Sequence, residues 1–119
     1  MADHPISISD DVISQLTACL AEPKFRGDAC YPEPDESVRD RAEALLNAFI
    51  ERLIACGPRV TSKAQILAEL KFTLVAFDDF DSEEQDKLML HLDPLFDLLG
   101  IESTDGLIGR WRYGLFDAP

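Results

Sequence analysis

What most constrains this chain is a helical rhythm of apolar residues that returns four times and is cut each time by proline or glycine. Spacings of three and four put the apolar side chains on one face of a helix, and no strand-like alternation longer than a few residues competes with them. The first pattern runs from about Asp10 to Glu22. Ser9 is placed to cap it, Asp10 and Asp11 suit the positive end of the helix dipole, and Val12, Ile13, Leu16, Cys19 and Leu20 form its stripe. Pro23 ends it. Residues 23–34 (PKFRGDACYPEP) hold three prolines and a glycine, so they read as an ordered loop, with Phe25 and Tyr31 pinning it to the body.

The second pattern is the longest. Asp35 stands at its start, and Val38, Ala42, Leu45, Leu46, Phe49, Leu53 and Ile54 recur up to Cys56, where Gly57-Pro58 stops it. It spans about 30 Å at the usual helical rise, and Asp35 with Arg39 forms a favourable pair at four residues' spacing. The third opens on a capping box, Ser62 with Gln65, and is apolar on most faces from Ile66 to Phe77, which predicts a central helix. The fourth opens on a second box, Ser82 with Gln85, and Glu83 and Lys87 add a supportive pair. Its core face is Leu88, Leu92, Leu95, Phe96 and Leu99; Pro94 must bend or break it, and Gly100 closes it.

In the tail, residues 101–119, a short helix from about Thr104 to Arg112 is expected after Ser103, with Trp111, Tyr113, Leu115 and Phe116 folding back onto the bundle. The expected fold is therefore all-α: a single-domain bundle of about five helices over residues 1–119, with a long second helix and a central apolar third. Residues 1–8, including His4, are expected to fray. With 119 residues, 46% of them apolar, such a chain buries roughly two-thirds of its unfolded surface without needing a disulfide or metal staple.

Charge narrows the function. Twenty-three acidic residues against eleven basic ones give a net charge of −12, a field that repels phosphate backbones and anionic lipid and attracts a cationic protein. Nucleic acid and membrane are accordingly excluded as primary partners. The opening MADHPISISDD has neither a basic nor an apolar signal region, and no apolar run reaches the length of a membrane span. Three cysteines (Cys19, Cys30, Cys56) without metal-type spacing suggest reduced thiols, so a cytoplasmic location is expected.

The acidity is concentrated between the third and fourth helices, where Asp78, Asp79, Asp81, Glu83, Glu84 and Asp86 fall within nine residues. A calcium loop counted from Asp79 would need glycine at its sixth position and glutamate at its twelfth; Glu84 and Leu90 stand there instead. The dipole of the fourth helix accounts for Glu83, Glu84 and Asp86, whereas Asp78, Asp79 and Asp81 sit near the unfavourable end of the third. These six are the expected partner-binding residues. No metal site or cofactor is expected. Nor is catalysis: Cys30 and His91 are the groups to test for a thiol–imidazole pair, but no cysteine stands in a catalytic signature.

The segment from Leu99 to Gly114 (LGIESTDGLIGRWRYG) resembles the C-terminal signature of a bacterial family of domains of unknown function, DUF4844. The loop Lys24-Phe25 to Tyr31-Pro32 before a long helix fits the same family, and the similarity extends from about Leu16 to Phe116. The chain departs from the family pattern at Pro94, Thr104 and Gly109. The resemblance implies the helical fold and no particular activity. In the residues themselves the segment reads as architecture: Gly100 ends one helix, Ser103 starts another, Gly106 and Gly109 permit close approach, and Trp111 and Tyr113 anchor the end.

Two functions follow. The first is a protein-binding module, specifically a cytoplasmic immunity protein that neutralises a bacterial toxin by covering its basic active-site cleft. The second is a small-molecule-binding or enzymatic domain with a pocket near Trp111 and Tyr113, flanked by Arg110 and Arg112. A homodimer through an apolar helix face is a further possibility.

Overall fold

The structure is a computed structural model that describes residues 5–114. His4, Leu115 and Phe116 lie outside the described residues. Five helices and one short antiparallel sheet follow in the order β1 (Pro5–Ile8), α1 (Asp10–Ala21), α2 (Glu36–Ala55), β2 (Arg59–Ser62), α3 (Lys63–Ala76), α4 (Ser82–Leu99) and α5 (Leu107–Arg112). The chain is mostly helical, and the sheet corrects the all-α expectation. Pro5, Ile6, Ser7 and Ile8 pair with Ser62, Thr61, Val60 and Arg59. Residues 5–8 are thus a strand rather than a frayed end, because Ile6 and Ile8 share one face and are fully buried. Gly57 lets the strand pass: a Cβ there would lie 2.4 Å from Ile8 Cγ2.

The helices begin and end for local reasons. Ser9 Oγ accepts the Val12 N–H at the head of α1, and Ser62 Oγ accepts the Gln65 N–H at the head of α3. Neither glutamine returns the bond of a capping box. The Gln65 amide turns to Glu69, and the Gln85 amide donates to the carbonyls of Phe77 and Phe80, tying the start of α4 to the end of α3. Asp81, not Ser82, occupies the cap position of α4, and Pro94 lies within a continuous helix. That helix closes on a Schellman turn: Gly100 takes φ 72°, and its N–H and that of Ile101 bond back to Asp97 and Phe96.

One hydrophobic core joins β1 and the five helices. From α2 come Ala42, Leu46, Phe49, Ile50 and Leu53; from α4, Leu88, Leu92, Leu95, Phe96 and Leu99. The third helix is not the enclosed one. Ile66, Leu70, Thr73 and Leu74 face inward, but Phe72 is 68% exposed, with the Arg52 guanidinium 5.0 Å from its ring centre, and Val75 is exposed beside it. Arg52 also reaches Thr73 Oγ1 at 2.7 Å and Glu69, clamping α2 to α3. Arg39 pairs with Glu33, Glu36 and Asp40 instead of Asp35, and Lys87 with Asp28 instead of Glu83.

The loop of residues 23–34 is held as expected, with Phe25 and Tyr31 buried. Phe25 stacks on Phe77. Three polar contacts fasten the loop to one stripe of α4: Tyr31 Oη donates to Glu84 (2.9 Å), Lys87 donates to Asp28 (2.6 Å), and the Phe25 N–H donates to His91 Nε2 (3.1 Å).

The tail departs from expectation in detail. Its helix starts at Leu107 after Gly106 at φ 83°, while Ser103 Oγ accepts the Asp105 N–H of the preceding turn. Trp111 is buried. Tyr113 is 82% exposed and anchors nothing in the core, and a Cβ on Gly109 would meet open space, so no close approach requires that glycine.

Candidate functional site

The six carboxylates singled out between α3 and α4 do not act as one set. Asp78 Oδ1 accepts the Trp111 indole N–H at 2.7 Å, so its place against the α3 dipole is explained by the docking of the tail. Glu84 is only 7% exposed and accepts the Tyr31 hydroxyl. Burial first, and then this carboxylate, hold the Tyr31 phenol well above its usual range, so it remains a donor. Asp86 pairs with Arg112 at 2.7 Å. These three carboxylates serve the fold. Among the described residues Asp79 meets only an exposed Arg41, at 3.9 Å, and Asp81 and Glu83 stand in solvent.

The loop supplies what the linear cluster lacks. Its end brings Glu33 and Asp35 against Asp81, Glu83 and Glu84, and together they line a shallow cleft of about 240 Å³ floored by Pro32, Pro34 and Val38. Glu33 is fixed in place by accepting the Gly27 N–H and pairing with Arg39. Sequence reasoning missed Glu33 and Asp35 because roughly 50 residues separate them from Asp81; the only hint was the expectation that Tyr31 pins the loop. A second, wider hollow of about 610 Å³ at the other end of α4 is also acidic, with Asp93, Asp97 and Glu102 around Phe96 and Ile101. Among the described residues no three histidine, cysteine or acidic groups converge closely enough to hold a metal ion.

The other expected site residues separate. Trp111 turns inward to Asp78 while Tyr113 turns to solvent, so the two do not form the walls of one pocket. Arg110 donates to the Asp105 carbonyl, and Arg112 lies between Asp86 and the Trp111 ring. Cys30 is exposed in a hollow with Tyr31 and Lys87, whereas His91 lines a different cavity with Cys19. His91 Nε2 is occupied as an acceptor, and burial, reinforced by Lys87 and Lys24, holds its pKa down at about 4. Burial pushes the Cys19 and Cys56 thiols up, the direction opposite to thiolate activation.

The sequence pattern of a domain of unknown function (DUF4844) matches residues 7–116, more than nine-tenths of the chain. The chain belongs to this family. The match takes in both the loop of residues 23–34 and the Leu99–Gly114 signature, so the parts that build the acidic cleft and dock the tail lie within the family's own span. None of the curated proteins and none of the solved structures compared with it matches. Among the described residues, no helix is long and apolar enough to cross a membrane.

Proposed function

We propose that this chain is a protein-binding module whose acidic cleft receives basic side chains of a partner. Its specific role in this reading is that of a cytoplasmic immunity protein that neutralises a bacterial toxin by covering a basic active-site cleft. The observation that carries the reading is the assembly of Glu33, Asp35, Asp81 and Glu83 from two distant segments around one depression. Holding like charges together costs free energy in the isolated protein and is offset when a cation meets them. The net charge of −12 adds long-range attraction to the same class of partner.

Co-expression with the product of the neighbouring open reading frame tests the role. Relief of that product's toxicity and a complex on size exclusion are expected; no toxicity and no complex would end the immunity reading. The surface is tested separately with Asp81→Asn combined with Glu83→Gln. Association at low ionic strength is expected to slow by roughly three- to tenfold, with a flatter salt dependence. Unchanged association would remove the cleft from the interface.

A further inference from the structure

A cavity of about 120 Å³ lies between the last turn of α1 and the middle of α4. It has the volume of about four water molecules, or of a carboxylic acid with about four carbons. Leu46, Ile50 and Leu95 give it apolar walls, and Lys24 and His91 bring polar groups to it. Lys24 is 5% exposed, an unusual depth for a lysine. Its ammonium has three donors. Two go to the carbonyls of Leu20 (3.3 Å) and Glu22 (2.8 Å) at the end of α1, and among the described residues it forms no ion pair. Glu43, the carboxylate close by, accepts the Lys24 backbone N–H instead. A buried cation thus borders a cavity with no carboxylate in direct contact, and Glu43 and Glu22 act on it only through space, a looser balance than a formed ion pair.

His91 lines the same cavity. Because its Nε2 accepts from Phe25, the proton of the neutral ring resides on Nδ1. One cation does not balance a phosphate monoester or a dicarboxylate, and the apolar walls disfavour a bare inorganic anion. We propose that this cavity binds a short aliphatic monocarboxylate, its carboxylate meeting the Lys24 ammonium and its alkyl chain lying against Leu46, Ile50 and Leu95. Glu22 borders the same cavity, but it is exposed, where solvent screens it. The site is independent of the acidic cleft and of the partner it receives.

Titration of the isotope-labelled full chain with butyrate, followed by amide resonances, tests this at matched ionic strength against sodium chloride. Saturable shifts centred on Cys19, Lys24 and His91 with a low-millimolar Kd are expected, and none with chloride. Butyramide, the same shape without the charge, is expected to bind at least about tenfold more weakly, and Lys24→Met to lower butyrate affinity by a similar factor. Should Lys24→Met fail to fold, the contrast between butyrate and butyramide on the unaltered protein decides alone. Absence of saturable butyrate shifts would mean the cavity holds only water and would overturn the proposal, as would equal affinity for the amide.

Discussion

Acidification provides a quantitative test of how the loop of residues 23–34 is held. The Phe25 N–H donates to His91 Nε2, a bond that only the neutral ring accepts, and burial keeps the ring neutral by holding its pKa at about 4 against the ordinary 6.5. Between those values the unfolded chain binds a proton that the folded protein refuses. The contribution to stability is therefore complete above pH 6.5 and is lost as pH falls towards 4. The gap corresponds to about 3 kcal/mol, or roughly 12 °C in Tm for a chain of this length. Asp28 falls outside this window: its hydrogen bond with Lys87 holds its carboxyl below the usual value, so its contribution is lost only at lower pH. Urea unfolding followed by Trp111 fluorescence, in steps from about pH 7.5 to about pH 4.5, measures the loss. His91→Gln retains an acceptor but does not titrate there. The natural protein should lose about 2.5 kcal/mol more than this variant across the window; parallel stability curves would refute the assignment.

Two further substitutions probe the contacts around the cleft. Tyr31→Phe removes the hydroxyl from the buried Glu84 carboxylate and should cost about 2 kcal/mol, read as a fall of roughly 8 °C in a circular-dichroism melt; a loss under about 0.5 kcal/mol would mean water replaces the hydroxyl. Trp111→Phe removes the indole donor to Asp78, and in that background Asp78→Ala should cost little more, whereas fully additive losses would show that the two side chains are energetically separate.

The helices were legible in the sequence because their evidence is local. Ser9, Pro23, Ser62 and Gly100 act within one turn of their own positions, and the apolar stripes need no distant partner to be recognised. The sheet was not legible. Pro5–Ile8 alternates over only four residues and Arg59–Ser62 hardly at all; each becomes a strand only because the other lies beside it, more than 50 residues away. Phe72 and Val75 exposed a different weakness. An apolar composition on most faces of α3 predicted enclosure, but composition carries no information about which neighbours arrive. The site was half legible for the same reason: Asp81 and Glu83 could be found in the linear cluster, whereas Glu33 and Asp35 join them only through the fold of the loop. Likewise, Asp78 looked misplaced until the indole of Trp111 was found against it.

The three contacts that fasten the loop to α4 set more than its stability. Glu84, Lys87 and His91 are pegs at intervals of three and four residues, and Tyr31, Asp28 and Phe25 hang on them in reverse order. The pegs span about 10 Å of helix, whereas the stretch from Phe25 to Tyr31 would reach about 20 Å if drawn out. Nearly half its length is therefore slack, taken up between pegs, and Glu33 and Asp35 sit just beyond the last one. The helix works as a ruler for a segment with no regular structure of its own. A change at one peg would shift the acidic rim and lower stability together, so that the position of the rim and the stability of the bundle are coupled through the same three contacts.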